Sequence, residues 1–147
     1  MSTLTVLDEL THDSLAPEYV EERVDDWVAR LNELYDAVKR WLPPGWTSQP
    51  GKPLTMDEEL MRNAKIAPRE LPTLELVRDG AVRITFRPYG LWIIGTNGRV
   101  DVVKKGQLFF LLDNANSLEP ANWQIASAEA RHEIKPFDQH QFLSILE

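Results

Sequence analysis

Between Val20 and Trp41 apolar side chains recur at alternating four- and three-residue steps: Val20, Val24, Trp27, Leu31, Leu34, Val38 and Trp41. That spacing predicts an amphipathic helix. Val28, Tyr35 and Leu42 add a third apolar position per heptad, which widens the stripe from a coiled-coil seam to the face a helix turns toward a sheet. Pro17 suits the first helical turn, and Pro43-Pro44-Gly45 ends the helix, because proline has no N–H and pushes the residue before it out of the α region. A helix over Pro17–Leu42 is therefore expected. Ahead of it, Met1 to Ala16 has only Leu4, Val6, Leu7 and Leu10 as apolar anchors and is expected to fray.

Trp46 to Pro53 reads as a loop, and Thr55 as the cap of a short helix in a T-x-x-E box completed by Glu58, with Leu60, Met61 and Ala64 inward. From Thr73 the apolar period shortens toward two. The dipeptides Asp79-Gly80, Tyr89-Gly90, Asn97-Gly98 and Lys105-Gly106 read as hairpin turns between strands near 73–78, 81–88, 91–96, 99–104 and 107–113. A sixth strand is expected around Trp123 to Ser127, and a closing helix from Pro136 through Leu146 with Asp138 in its first turn. The expected fold is α+β, with the N-terminal amphipathic helix packed on an antiparallel β-meander of five to six strands and a C-terminal helix. It forms one domain: an acidic helical arm and loop (1–53), a short helix and linker (54–72), the meander (73–127) and the C-terminal helix (128–147).

Two-residue turns set register, so the faces of the sheet follow from them. One face would hold Val77, Val82, Ile84, Phe86, Leu91, Ile93, Val100, Val102, Phe109 and Leu111, without a charge, and lie under the long helix. The other would mix Leu74, Leu76, Arg83, Thr85, Arg87, Trp92, Ile94, Arg99, Asp101 and Val103 with Leu108, Phe110 and Leu112 on the last strand, an apolar half for the C-terminal helix to cover. The Asn97-Gly98 turn would pair Ile94 with Asp101 and Trp92 with Val103, and the preceding turn would set Arg87 opposite Trp92 for a cation–π contact.

Charge refines this picture. The 147 residues carry 16 Lys and Arg against 23 Asp and Glu, a net of -7. Residues 1–36 hold two bases and ten acids, a net of -8, whereas residues 73–113 hold six bases and four acids, a net of +2. An acidic helix is thus joined to a mildly basic sheet. Nucleic acid and anionic membranes need a concentrated positive field and are disfavoured as partners of the whole protein. The absence of cysteine removes disulfides, thiolate metal sites and cysteine nucleophiles. Without a basic n-region, an apolar h-region or a run of roughly 18 apolar residues, the chain is expected to be cytoplasmic.

The candidate binding cluster is Arg83, Arg87, Trp92, Arg99 and Asp101, since arginine with an aromatic ring is the mixture enriched at interface hot spots. Its plainer reading is a solvated sheet face with a snorkelling tryptophan. A second surface, Glu22, Asp25, Asp26 and Glu33 on the polar side of the helix, would meet a basic protein. His132, Glu133, Asp138 and His140 are oxygen and nitrogen donors, but their spacing matches no H-E-x-x-H arrangement and Pro136 divides them, so no metal is expected. Asp8, Glu9, His12 and Asp13 form a weaker group of the same kind. With no G-x-S-x-G elbow around any serine and glycines that precede strands rather than helices, neither a nucleophile–base pair nor a cofactor site is expected. The expected function is a non-catalytic protein-interaction module, such as a small acidic inhibitor, immunity-type or accessory protein, monomeric or homodimeric. A binder or sensor of a small anionic ligand, using the Arg/Trp sheet face, is the alternative, and a metal-dependent hydrolase built on His132, Glu133 and His140 the third reading.

Overall fold

A computed structural model describes residues 16–92, 97–116 and 118–147. Helix α1 spans Pro17–Trp41, with Pro17 in its first turn and the Lys39 carbonyl accepting from Leu42 N–H at its end. Then come β1 (Trp46–Pro50), β2 (Leu54–Met56), α2 (Glu59–Asn63), β3 (Arg69–Leu71), β4 (Leu74–Arg78), β5 (Ala81–Gly90), β6 (Arg99–Lys104), β7 (Gln107–Asp113), β8 (Trp123–Ser127), β9 (Ala130–Pro136) and α3 (Gln139–Ile145). The fold is α+β. Its main sheet is antiparallel, seven strands in the order β1-β4-β5-β6-β7-β8-β9, and β2 and β3 form a separate pair that encloses α2.

The sheet is wider than expected because two strands lie at its edges, where apolar alternation is weak. β1 replaces an expected loop and pairs along its full length with β4, while β9 begins six residues before the expected closing helix. Residues 131–136 of β9 are all exposed, and an edge strand rich in charge and ending in Pro136 is one that resists pairing with other chains. The short helix also starts later than expected. Thr55 lies in β2, Glu58 occupies the N-cap position, and the Glu58 carboxylate accepts from the backbone N–H groups of Leu91 (2.9 Å) and Trp92 (3.3 Å).

The hairpin expectations divide by backbone angle. Asp79 and Gly80 both have positive φ (53° and 74°), as a two-residue hairpin loop prefers, and Gly106 (73°) closes the turn between β6 and β7. Tyr89-Gly90 is no turn. β5 continues through it and pairs directly with β6, so the expected strand at 91–96 does not lie between them, and residues 93–96 are outside the described set. β5 carries two extra residues relative to its partners. Arg83 is the surplus residue between the Val77–Val82 and Leu76–Ile84 pairs, and Tyr89 is the surplus residue between the Pro88–Val100 and Gly90–Arg99 pairs. The first bulge moves Leu74 and Leu76, expected on the outer face, into the core and leaves Val82 47% exposed.

α1 covers Leu74, Leu76, Ile84, Phe86, Val100, Val102 and Leu111 with its apolar stripe. Trp27 meets Trp123 with ring centroids 6.1 Å apart, and Tyr35 meets Phe86 edge-on at 6.2 Å. Phe137 and Phe142 close around Trp41 at 5.8 and 5.9 Å, so α3 joins the core on the side occupied by α1 instead of shielding the outer face. Asn97 and Gly98 act as an extension of the sheet: Asn97 N–H donates to the Asp113 carbonyl (2.8 Å) and Asp113 N–H to the Gly98 carbonyl (3.0 Å). Gly98 packs closely against the Trp27 ring.

Beside the apolar stripe, Arg23 and Arg30 are buried. Arg23 Nη2 donates to Asn97 Oδ1 (2.6 Å), and Arg30 Nη1 donates to Asp113 Oδ2 (2.7 Å), with Arg30 4% and Asp113 0% exposed. Arg30 also donates through Nε to Asp26 (2.5 Å) and through Nη2 to the Glu119 carbonyl. The second Asp113 oxygen accepts from the N–H groups of Ala115 (3.0 Å) and Asn122 (2.9 Å).

At Gly98 the φ is +126°, and an added Cβ would lie 2.6 Å from Trp27 Cη2. Gly98→Ala should destabilise by about 3 kcal/mol in denaturant unfolding, and a loss under about 0.5 kcal/mol would show that the contact is not tight. Arg30→Met and Asp113→Ala should each cost about 3–5 kcal/mol, because each strands a buried charge, while the double variant should cost much less than their sum. Additive losses would show that the two charges do not depend on each other. Burial pushes the Tyr35 phenol above its ordinary range, and its hydroxyl donates to the Pro72 carbonyl at 2.9 Å. The folded state then keeps the phenolic proton where the unfolded chain loses it, so this group leaves stability unchanged below about pH 10 and lowers it above, by at most about 1.4 kcal/mol per pH unit. Unfolding free energies of the wild type and Tyr35→Phe should accordingly converge between about pH 10 and pH 11.

Candidate functional site

The outer face of the main sheet, opposite α1 and α3, has no covering element among the described residues. Register places its side chains in two rows. Arg87 is directly opposite Asp101, Asp101 opposite Phe110, and Phe110 opposite Ala126; in the next row Arg99 is opposite Leu112. The bulge at Tyr89 turns that ring outward beside Arg99 and leaves it 60% exposed.

Arg99 is the centre of this group. Its Nε donates to Asp101 Oδ1 at 2.8 Å, and its guanidinium carbon lies 4.0 Å from the ring centroids of both Tyr89 and Phe110. Residues two apart on a strand share a face, so the Arg99–Asp101 pair needs no long-range register. The Arg131 guanidinium comes over Phe110 from β9, 5.1 Å from the ring. Phe110 is buried beneath its own arginines as a result. The site therefore consists of a planar cation held edge and face, flanked by two exposed arginines, Arg87 and Arg131.

Of the residues expected in this cluster, Arg87, Arg99 and Asp101 come together, although Arg87 faces Asp101 and not Trp92. Trp92 lies on the other side of the sheet. Its ring is 5.6 Å from the Arg23 guanidinium of α1, and its indole N–H finds no acceptor among the described residues. Arg83 remains exposed in its bulge and donates through Nε to the Arg78 carbonyl at 3.1 Å. Tyr89, Phe110 and Arg131 were not expected in the cluster. Tyr89 falls in an expected turn, and Arg131 in the segment 128–147 expected to carry the C-terminal helix, where β9 forms instead.

The acidic surface of α1 is partly neutralised within the chain. Asp25 accepts from Arg69 Nη2 at 2.6 Å and Asp26 from Arg30, which leaves Glu22 and Glu33 exposed and outside the ion pairs of the described residues. Asp138 caps α3 by accepting from Gln141 N–H at 2.9 Å. No group of three or more His, Asp or Glu placed to hold a metal ion occurs among the described residues, so His132, Glu133 and His140 do not converge in that way. Asp8, Glu9, His12 and Asp13 lie outside the described residues. Ser127 and Ser144 make local contacts, with Glu129 N–H and the Gln141 carbonyl respectively.

A cleft of about 190 Å³ opens between β7–β9 and α3, lined by Phe109, Ile125, Ser127, Lys135, Gln141 and Ile145 among others. It is smaller than the roughly 300–1,000 Å³ of ordinary small-molecule pockets. No protein family, curated protein or solved structure matches this chain.

Proposed function

We propose that the chain is a non-catalytic protein-interaction module of the inhibitor or accessory type, which binds its partner through the outer face of the sheet. The observation that carries this reading is the fixed position of Arg99, locked between Tyr89 and Phe110 by Asp101 on a face that nothing in the described chain covers. An arginine already immobilised loses little conformational freedom on binding, and tyrosine and arginine are the residue types that dominate interface energetics. The acidic helix is the lesser surface under this reading, since Asp25 and Asp26 already have intramolecular partners.

A photo-crosslinking residue placed at Tyr89 in the native host should capture one protein reproducibly, whereas the same residue at Glu33 should not. Once that protein is purified, Arg99→Ala should weaken its binding by about thirtyfold, the scale of a hot-spot truncation of about 2 kcal/mol. Charge reversal at Glu22 and Glu33 should change affinity by less than about threefold at physiological salt. Unchanged binding in Arg99→Ala, or a large loss from the helix reversal, would overturn the assignment of the surface.

A further inference from the structure

The outer face carries more positive charge than its own carboxylates neutralise. Arg87, Arg99 and Arg131 share it with Asp101, whose carboxylate is committed to Arg99. Among the other acids nearby, Glu75 accepts from Gln49 Nε2 at 2.7 Å and Glu133 lines the cleft beside α3. Arg87 and Arg131 have no carboxylate or hydrogen-bond acceptor among the described residues, and Arg99 uses only Nε. The Nη groups of these three guanidiniums thus have no acceptor among the described residues.

From these positions we infer that the outer face docks a short, extended acidic segment of a protein partner, with carboxylates at alternating positions; this rests on the interaction-module reading above. Arg87 is two strand spacings, roughly 10 Å, from Phe110, over which Arg131 lies, and Arg99 stands between. In an extended chain, side chains two residues apart project to one side at intervals of roughly 6.7 Å, so three alternating carboxylates span a similar length. Each would accept from one guanidinium. The aromatic rings argue against a nucleic acid in the same place. Single-stranded nucleic acids stack bases on open rings, whereas Phe110 is buried beneath two arginines and Tyr89 already has Arg99 on it. The net charge of -7 also repels a long polyanion more than it repels a few carboxylates.

The test is an NMR titration of the isotopically labelled full chain with three probes: a capped Glu-Thr-Glu-Thr-Glu-Thr peptide, its Gln-Thr counterpart, and a six-residue thymidine oligonucleotide. The glutamate peptide should shift the Arg87, Tyr89, Arg99 and Arg131 signals at low millimolar concentration. Raising salt from 50 to 200 mM should weaken it severalfold, and the glutamine peptide should bind at least tenfold more weakly. Arg87→Gln/Arg131→Gln retains Arg99, Asp101, Tyr89 and Phe110 and should weaken the glutamate peptide at least tenfold while the spectrum stays native-like. Equal binding of the two peptides, shifts confined to another surface, or no binding by the glutamate peptide would overturn the inference, and tighter oligonucleotide binding would replace it with a nucleic-acid surface. Failure here is separable from failure of the broader reading: a partner captured at Tyr89 through a segment without Asp or Glu leaves the module standing and removes the acidic ligand.

Discussion

The arrangement of this molecule depends on one buried ion pair. Arg30 and Asp113 join the middle of α1 to the end of β7, and both groups are further hydrogen-bonded, to Asp26, the Glu119 carbonyl and the backbone N–H groups of residues 115 and 122. Removing two charges from water offsets much of their attraction, so such a pair adds little net stability compared with apolar residues of the same size. Its effect is on geometry. A helix that slid or rotated on the sheet would leave a guanidinium or a carboxylate buried without its partner. Arg23, one heptad earlier, repeats the constraint through Asn97, and two anchors seven residues apart hold the direction of the helix as well as its position.

With α1 held there, Trp27 rests on Gly98 and beside Trp123, and the apolar stripe extends over β4, β5, β6 and β7 to Trp41. Trp41 in turn receives Phe137 and Phe142, which brings α3 to the same side. Both helices therefore occupy one face, and among the described residues the other carries strands alone. There the two bulges of β5 decide what is displayed: they turn Arg83 and Tyr89 outward without breaking the sheet. The separation of charge has the same origin. Within this arrangement the exposed acids of α1 lie on its solvent side and the arginine cluster on the far face of the sheet, so a sequence acidic on average presents a cationic patch.

Much of the fold was legible because it rests on local pattern. The Val20–Trp41 stripe has one solution as a helix, and Asp79-Gly80 one solution as a turn, since both residues tolerate the positive φ observed. Edge strands β1 and β9 were not, because a strand exposed on its faces has no reason to alternate. Asn97-Gly98 was misleading for a physical reason: Gly98 is there for the close approach of Trp27 and not for a hairpin. Arg23 and Arg30 left a faint signal, as the two bases among ten acids in residues 1–36, seven apart and flanking the apolar stripe. Within the site, Arg99 and Asp101 could be paired from sequence because they are neighbours on one strand. Arg87 could not be placed correctly, because its opposite residue depends on register, and each bulge shifts register by one.

The cationic face can act independently of the acidic helix behind it. At physiological ionic strength charges are screened beyond about 8 Å, and a helix alone is about 10–12 Å across, so acids on its far side lie more than a screening length from Arg99. At short range an incoming carboxylate therefore meets Arg87, Arg99 and Arg131 with little opposition from Glu22 or Glu33. At low salt the longer-range field returns, and its net sign is negative. Long-range attraction then favours basic molecules while short-range pairing favours acidic ones. A surface of this kind selects by geometry at contact more than by steering, and that suits a guanidinium fixed in place before its partner arrives.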